Sequence, residues 1–297
     1  MNHSTGRRQL PLPGTGGLIL CGGQSSRMGR DKAQLRFGPQ TLLERVTGRM
    51  AAVTAPVVIS LGPKQVIANL GDDILIARDS APGQGPFSGL AAGFRLLAGQ
   101  CRRVVVMTVD LPFFDETWIS RLAGELGDGL AVVCRYEGFT TALIGAYSMD
   151  LLPVLDRMEQ AGERRPMRLV KEAGARVITV EEIWSPAQGP PPLMDVDTPD
   201  DYREALAWEG IGNREGAAIT VHWEAGGCGA ETLHPLPLYA DTPAQALAFW
   251  VQVYPETAET AGRLREVGRA WTGDAGVTLP VDWSTPLLPG QRVRFVN

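Results

Sequence analysis

Short apolar runs recur along the first two thirds of the chain, separated by stretches of helical period. The runs are "GLIL" (17–20), "VVISL" (57–61), "ILIA" (74–77), "RVVVMTV" (103–109), "LAVVC" (130–134), "ALIGAY" (142–147) and "ARVITV" (175–180). They are nearly uninterrupted and rich in Val and Ile, as strands buried on both faces are. Between them "TLLERVTGRMAAV" (41–53), "SGLAAGFRLLAG" (88–99), "TWISRLAGEL" (117–126) and "GERRPMRLVKEAG" (162–174) carry apolar residues at helical spacing, with Ser, Thr or Gly at capping positions. This alternation predicts an α/β fold, a doubly wound, mostly parallel sheet covered by helices on both faces. The ligand site of such a sheet lies beyond the carboxyl ends of its strands.

The pattern then changes. A proline-rich stretch, "SPAQGPPPLMDVDTPDDY" (185–202), precedes a last helix ending near Trp208, and "EGIGNREG" (209–216) reads as a linker. A second unit, 217–297, follows: "AAITVHW" (217–223) as a strand, "TPAQALAFWVQVY" (242–254) as a helix after a Thr cap, and "VTLPVDW" (277–283) and "QRVRFV" (291–296) as closing strands. That is the length and composition of a small α+β domain. Residues 1–16 hold Arg7 and Arg8 but no apolar signal core, and are expected to be a flexible tail ahead of a domain at 17–208.

Composition narrows the function classes. A net charge of −5, from 28 basic and 33 acidic residues, argues against nucleic-acid and membrane-surface binding, which call for a basic face. No apolar run reaches membrane-spanning length. The cysteines, Cys21, Cys101, Cys134 and Cys228, form no CxxC pair, and the three histidines do not cluster with them, so neither a zinc site nor a disulfide framework is indicated. A cytoplasmic protein is expected.

Candidate chemistry begins where the first strand ends. In "LCGGQSSRMGRDK" (20–32), Gly22 and Gly23 let backbone N–H groups approach an anion, and Arg27 and Lys32 add two cations. Gly29 is followed by Arg30 and Asp31, so the stretch is not a P-loop, and "GTGG" (14–17) precedes the strand, so it is not a dinucleotide fingerprint. Asp110 ends another apolar run, a position from which a carboxylate reaches a divalent cation on bound phosphates.

The loop resembles the "LAGGxSxRMGxDK" signature of the molybdenum cofactor guanylyltransferases, with Cys21 in place of alanine. The likeness continues in order through "RDSAPGQGPFSGL" (78–90), "VDLPFF" (109–114), "AGERRPMRLV" (161–170) and "MDVDTPDDY" (194–202), so it spans about 17–208. It implies a Rossmann-like nucleotidyltransferase domain that moves GMP from GTP to the phosphate of molybdenum-molybdopterin and releases pyrophosphate, with Mg²⁺ or Mn²⁺ as the metal. By the same resemblance Leu20, Cys21, Gly22 and Gly23 meet the nucleotide through their backbone, and Asp79 contacts the guanine nucleotide. Ser60 falls near a family asparagine with that role, Lys32 and Arg27 hold the triphosphate, and Asp110 binds the metal. Asp197 stands where many guanylyl members have asparagine; it is a candidate second metal ligand. Thr198 with Asp201 also reads as a capping box for the last helix, so in this stretch Asp195 is read as structural, and for Asp197 the structural and metal-binding readings stand level. Arg164, Arg165 and Arg168 are either contacts for the acceptor or a solvated helix face. The "DTP" form also occurs in cytidylyl transferases, so cytidylyl or sugar-phosphate transfer stays open, as does a non-catalytic scaffold.

"VTLPVDWSTPLLPGQRVRFVN" (277–297) resembles the closing half of the β-grasp sulfur carriers, including the small subunit of molybdopterin synthase, with Leu287, Leu288, Gly290 and Val293 in the turn and last strand. Gln291 departs from the usual acid, and no Gly-Gly follows Val296. The expectation is a β-grasp-like module that carries no sulfur and is either a docking module for other proteins of molybdenum cofactor biosynthesis or a degenerate remnant.

Overall fold

The structure is a computed structural model describing residues 11–21, 31–38, 40–63, 65–67, 70–71, 73–78 and 85–209, together with the backbone of four later strands. In chain order the strands are β1 (Thr15–Leu20), β2 (Arg36–Phe37), β3 (Gln40–Thr41), β4 (Val57–Leu61), β5 (Ile74–Arg78), β6 (Arg103–Thr108), β7 (Ala131–Tyr136), β8 (Phe139–Ser148), β9 (Arg176–Thr179), β10 (Thr220–Glu224), β11 (Arg269–Gly273), β12 (Leu279–Val281) and β13 (Arg292–Val296). The helices are α1 (Leu42–Val53), α2 (Pro86–Leu97), α3 (Glu116–Leu126), α4 (Leu152–Gln160), α5 (Pro166–Glu172) and α6 (Pro199–Trp208). Two compact units result, one of Met1–Gln24 with Leu42–Asp195 and one of Ser25–Thr41 with Val196–Asn297.

The first unit holds a seven-stranded sheet in the order β5-β4-β1-β6-β8-β7-β9. Each of the seven apolar runs became a strand of it. β1 lies third in this order, parallel to its neighbours β4 and β6. Its side chains alternate between two cores: Leu18 and Leu20 join Val58, Val104 and Val106 against Phe87, Leu90 and Phe94 of α2, Leu155 and Met158 of α4, and Leu169 of α5. Helices α1 and α3 pack together, α1 on β1 and β4 and α3 on β6, β7 and β8, and Ile19 is fully buried as well. Covered faces of this kind explain why the runs read as continuously apolar.

One strand departs from the parallel pattern. β8 runs antiparallel to both neighbours, because Glu137 and Gly138, both at positive φ (48° and 78°), turn the chain straight back from β7. The two strands then lose step: Val133 faces Gly145 but Cys134 faces Thr141, so Ala142, Leu143 and Ile144 are extra in β8. Gly145 is required where pairing resumes, since a Cβ there would overlap the Val132 carbonyl oxygen. Inside the bulge the Tyr147 hydroxyl donates to the Ala142 carbonyl at 2.5 Å. Its ring is fully buried and lies edge-on to Phe94 at 6.3 Å. Burial pushes the Tyr147 phenol well above its ordinary range and the Cys134 thiol up to about 12. Tyr147→Phe keeps the ring and orphans the buried carbonyl, so it is expected to lower unfolding free energy by about 1–3 kcal/mol, measured by urea denaturation. A loss below the error of that measurement would mean the carbonyl finds another donor.

Helix α4 was not expected from the sequence. Leu152 to Gln160 carries Pro153 in its first turn, where proline is tolerated, and buries Leu155 and Met158. The helix expected over 162–174 is α5, shortened to begin at Pro166.

In the second unit α6 is capped by Thr198, whose side chain and that of Asp201 form the expected capping box. The backbone of the four later strands forms a separate sheet in the order β10-β13-β11-β12. β10 pairs parallel with β13, and β11 pairs antiparallel with β13 and β12. β11, "RAWTG", was not expected; the helix expected over 242–254 lies outside the described residues. Among the described residues no helix is long and apolar enough to cross a membrane.

Candidate active site

The carboxyl end of the central strands is built by register. Leu20, the last residue of β1, lies opposite Ser60 on β4 and Thr108 on β6. Past the strand's end the ladder continues for one step on each side: Cys21 N–H donates to the Ser60 carbonyl at 2.9 Å, and Val109 N–H donates to the Leu20 carbonyl at 3.1 Å. Leu20, Cys21 and Ser60 are therefore brought together as buried backbone, and Asp110 follows directly on the last sheet hydrogen bond, half-buried. A side chain at a buried strand end has its backbone fixed before any ligand arrives.

The segment after Asp110 is held from a direction the sequence did not reveal. Arg45 Nε donates to the Pro112 carbonyl at 2.8 Å, and Arg49 Nη1 donates to the same oxygen at 2.7 Å. Both arginines come from α1, and Arg45 is buried. Four apart on α1, the two arginines share one face of the helix, and from it both reach the same main-chain oxygen.

In the second unit Lys32 and Asp197 form an ion pair across 165 residues of sequence. Each is held on its own side. Asp31 caps the short turn of Lys32 by accepting from Ala33 N–H at 3.0 Å. Asp201 accepts from the backbone N–H groups of Asp197 and Thr198, at 3.0 and 2.7 Å, so α6 is capped without the Asp197 carboxylate. The Tyr202 hydroxyl donates to the Arg36 carbonyl, tying α6 to the strand that follows Lys32. Asp195 is exposed.

Arg27, Gly22, Gly23 and Asp79 lie outside the described residues. The arginines of "GERRP" form a charged surface. Arg165 pairs with Glu163 at 2.9 Å, and Arg168 lies between Glu163 at 3.7 Å and Glu172 at 4.0 Å. Hydrogen bonds from the Arg165 side chain and backbone hold the Glu163 carboxyl down to about 2.

Among the described residues no group of three His, Cys, Asp or Glu could hold a metal alone. Asp110, in the first unit, and Asp197, in the second, each present a single carboxylate. Such hard oxygen ligands fit Mg²⁺, which is commonly held by one or two carboxylates and completed by substrate phosphates.

The model of the MobA-like NTP transferase domain matches residues 17–177. The chain belongs to the MobA-like NTP transferase family. Its enzyme class is that of a nucleotidyltransferase. A relative from Sinorhizobium fredii, named molybdenum cofactor guanylyltransferase, is 32% identical over 198 residues, covering 64% of this chain and 90% of its own. Among solved structures, molybdopterin-guanine dinucleotide biosynthesis protein A from Archaeoglobus fulgidus superposes with a TM-score of 0.52 at 19% identity, covering 65% of this chain and 97% of its own. A 4-diphosphocytidyl-2C-methyl-D-erythritol synthase from Anaerococcus prevotii reaches 0.50 at 12% identity, over 66% of this chain and 96% of its own. The MobA-like fold is thus shared by proteins named for guanylyl and for cytidylyl chemistry, and the backbone does not choose between the two bases.

Proposed function

We propose that this MobA-like protein transfers GMP from GTP to the phosphate of molybdenum-molybdopterin in the cytoplasm. The observation that carries the reading is the meeting of Leu20, Cys21 and Ser60 with the Asp110 segment at the strand ends, in a chain whose relative bears the guanylyltransferase name. An oxygen of the acceptor phosphate attacks the α-phosphorus of GTP, and the bond from that phosphorus to the bridging oxygen breaks. The electron pair leaves with pyrophosphate, and no protein nucleophile is needed. Positioning and charge neutralisation are what the chain contributes. The backbone of 20–23 cradles phosphate, Arg27 and Lys32 neutralise the triphosphate, Asp79 and Ser60 face the guanine nucleotide, and Asp110, with Asp197, holds Mg²⁺. The bound metal would offset charge on the phosphates and the departing pyrophosphate.

The domain reading is 17–208 for catalysis, 209–216 as linker and 217–297 as a β-grasp-like module for docking a protein of the same biosynthesis. Supporting the module is the parallel β10–β13 pair, which needs a crossover between its strands.

Thermal unfolding of the full chain with GTP, CTP, ATP or UTP, each with and without Mg²⁺, tests the reading. At a hundredfold excess over Kd, Mg-GTP is expected to add about 2.7 kcal/mol, a rise of roughly 5–10 °C for a unit of this size. A selective shift with CTP would move the assignment to cytidylyl transfer, and none with any nucleotide would favour a scaffold.

A further inference from the structure

We propose that Arg45 and Arg49 are positioning residues for Asp110, setting where its carboxylate stands for the metal and triphosphate; this rests on the nucleotidyl-transfer reading above. Asp110 is bounded on both sides. Before it, Val109 N–H is bonded to the Leu20 carbonyl, the last link of the sheet. After it comes Leu111, 1% exposed, and then Pro112, whose ring fixes φ and whose carbonyl accepts from both guanidinium groups, at 2.8 and 2.7 Å. The carboxylate is thus carried on a span of two residues, Asp110 and Leu111, between the sheet and a doubly held carbonyl.

The means of holding is itself informative. Arg45 and Arg49 are four apart on α1, a spacing at which like charges repel, and Arg45 is 8% exposed, where a guanidinium loses most of its hydration. Charge-assisted bonds to the shared Pro112 oxygen offset part of these costs. A neutral donor would hold a loop of purely structural use with less desolvation. Two cations at this point hold the loop and also place fixed positive charge beside a segment proposed to meet phosphates.

The test uses full-length Arg45→Met, Arg45→Lys and Arg49→Met. Mn²⁺ binding is followed by electron paramagnetic resonance in the presence of a non-hydrolysable GTP analogue, beside kcat and KM for GTP at saturating Mg²⁺ and thermal unfolding. Arg45→Met is expected to raise the Mn²⁺ concentration at half-saturation about tenfold and to lower kcat about 10- to 100-fold, with KM within about twofold. Arg45→Lys should recover most of both losses, and Arg49→Met should move them the same way by less. A lowered melting temperature with Mn²⁺ half-saturation unmoved would make the pair structural and overturn the inference. If Arg45→Met fails to fold, an unmoved Mn²⁺ titration in Arg49→Met overturns it equally. Failure of the unaltered protein to bind Mn²⁺ with the analogue would instead overturn the nucleotidyl-transfer reading, and this inference with it.

Discussion

Asp110→Ala is expected to lose about 10²- to 10³-fold in turnover, the scale of removing one preorganised electrostatic contact to a transition state, while unfolding at nearly the same temperature. Asp110 is half-buried at a strand end, outside the apolar core formed by Leu18, Val106 and their neighbours. Truncating it leaves no cavity among those side chains, and the sheet bond at Val109 is made by backbone. Steady-state pyrophosphate release at saturating Mg-GTP, beside a thermal melt, checks both halves. Near-normal release would remove Asp110 from the metal site. A melt lowered by many degrees would mean that its role is to hold the loop.

Lys32 and Asp197 should show the second large effect, and a cycle of single and double variants is needed to read it. Lys32→Met is expected to weaken GTP binding and cut turnover about 10²-fold by removing a cation from the triphosphate. Asp197→Asn acts in two directions. Without metal it should strengthen GTP binding roughly tenfold, because the Asp197 carboxylate pairs with the ammonium that the phosphates would take. With Mg²⁺ the gain should disappear, as a ligand of the metal is lost. In the Lys32→Met background Asp197→Asn should give no metal-free gain. Calorimetric titration of GTP into the four proteins checks this; a gain that persists without Lys32 would show that Asp197 repels phosphate directly and does not compete for the lysine.

The strands were legible because burial on both faces leaves an unbroken apolar run, and the capping box at Thr198 and Asp201 was legible because its partners are three residues apart. The direction of β8 was not, since it depends on the tight turn at Glu137 and Gly138 within what reads as two ordinary strands. Nor was the bulge, whose extra residues Ala142, Leu143 and Ile144 sit inside a continuous apolar run. Helix α4 was hidden by Pro153 and by its short length. At the site the sequence singled out Leu20, Cys21, Ser60 and Asp110 through motif order, and the register brings these four to one end of the sheet. It gave no sign of Arg45 or Arg49, because their partner is a main-chain oxygen 67 and 63 residues away. The Lys32–Asp197 pair was invisible for the same reason: each was a candidate alone, and nothing local joins them.

That pairing also bears on the order in which the molecule can be finished. Ser25–Thr41 belongs to the same compact unit as Val196–Asn297, although the chain between them builds the other one. As synthesis runs from the amino end, the large sheet can close while Lys32 waits for an aspartate 165 residues downstream. Loop closure over such a separation is slow compared with local helix and hairpin formation. A nascent chain can therefore hold a nearly complete sheet and still lack its lysine–carboxylate contact, so the step that completes this pair falls near the end of assembly.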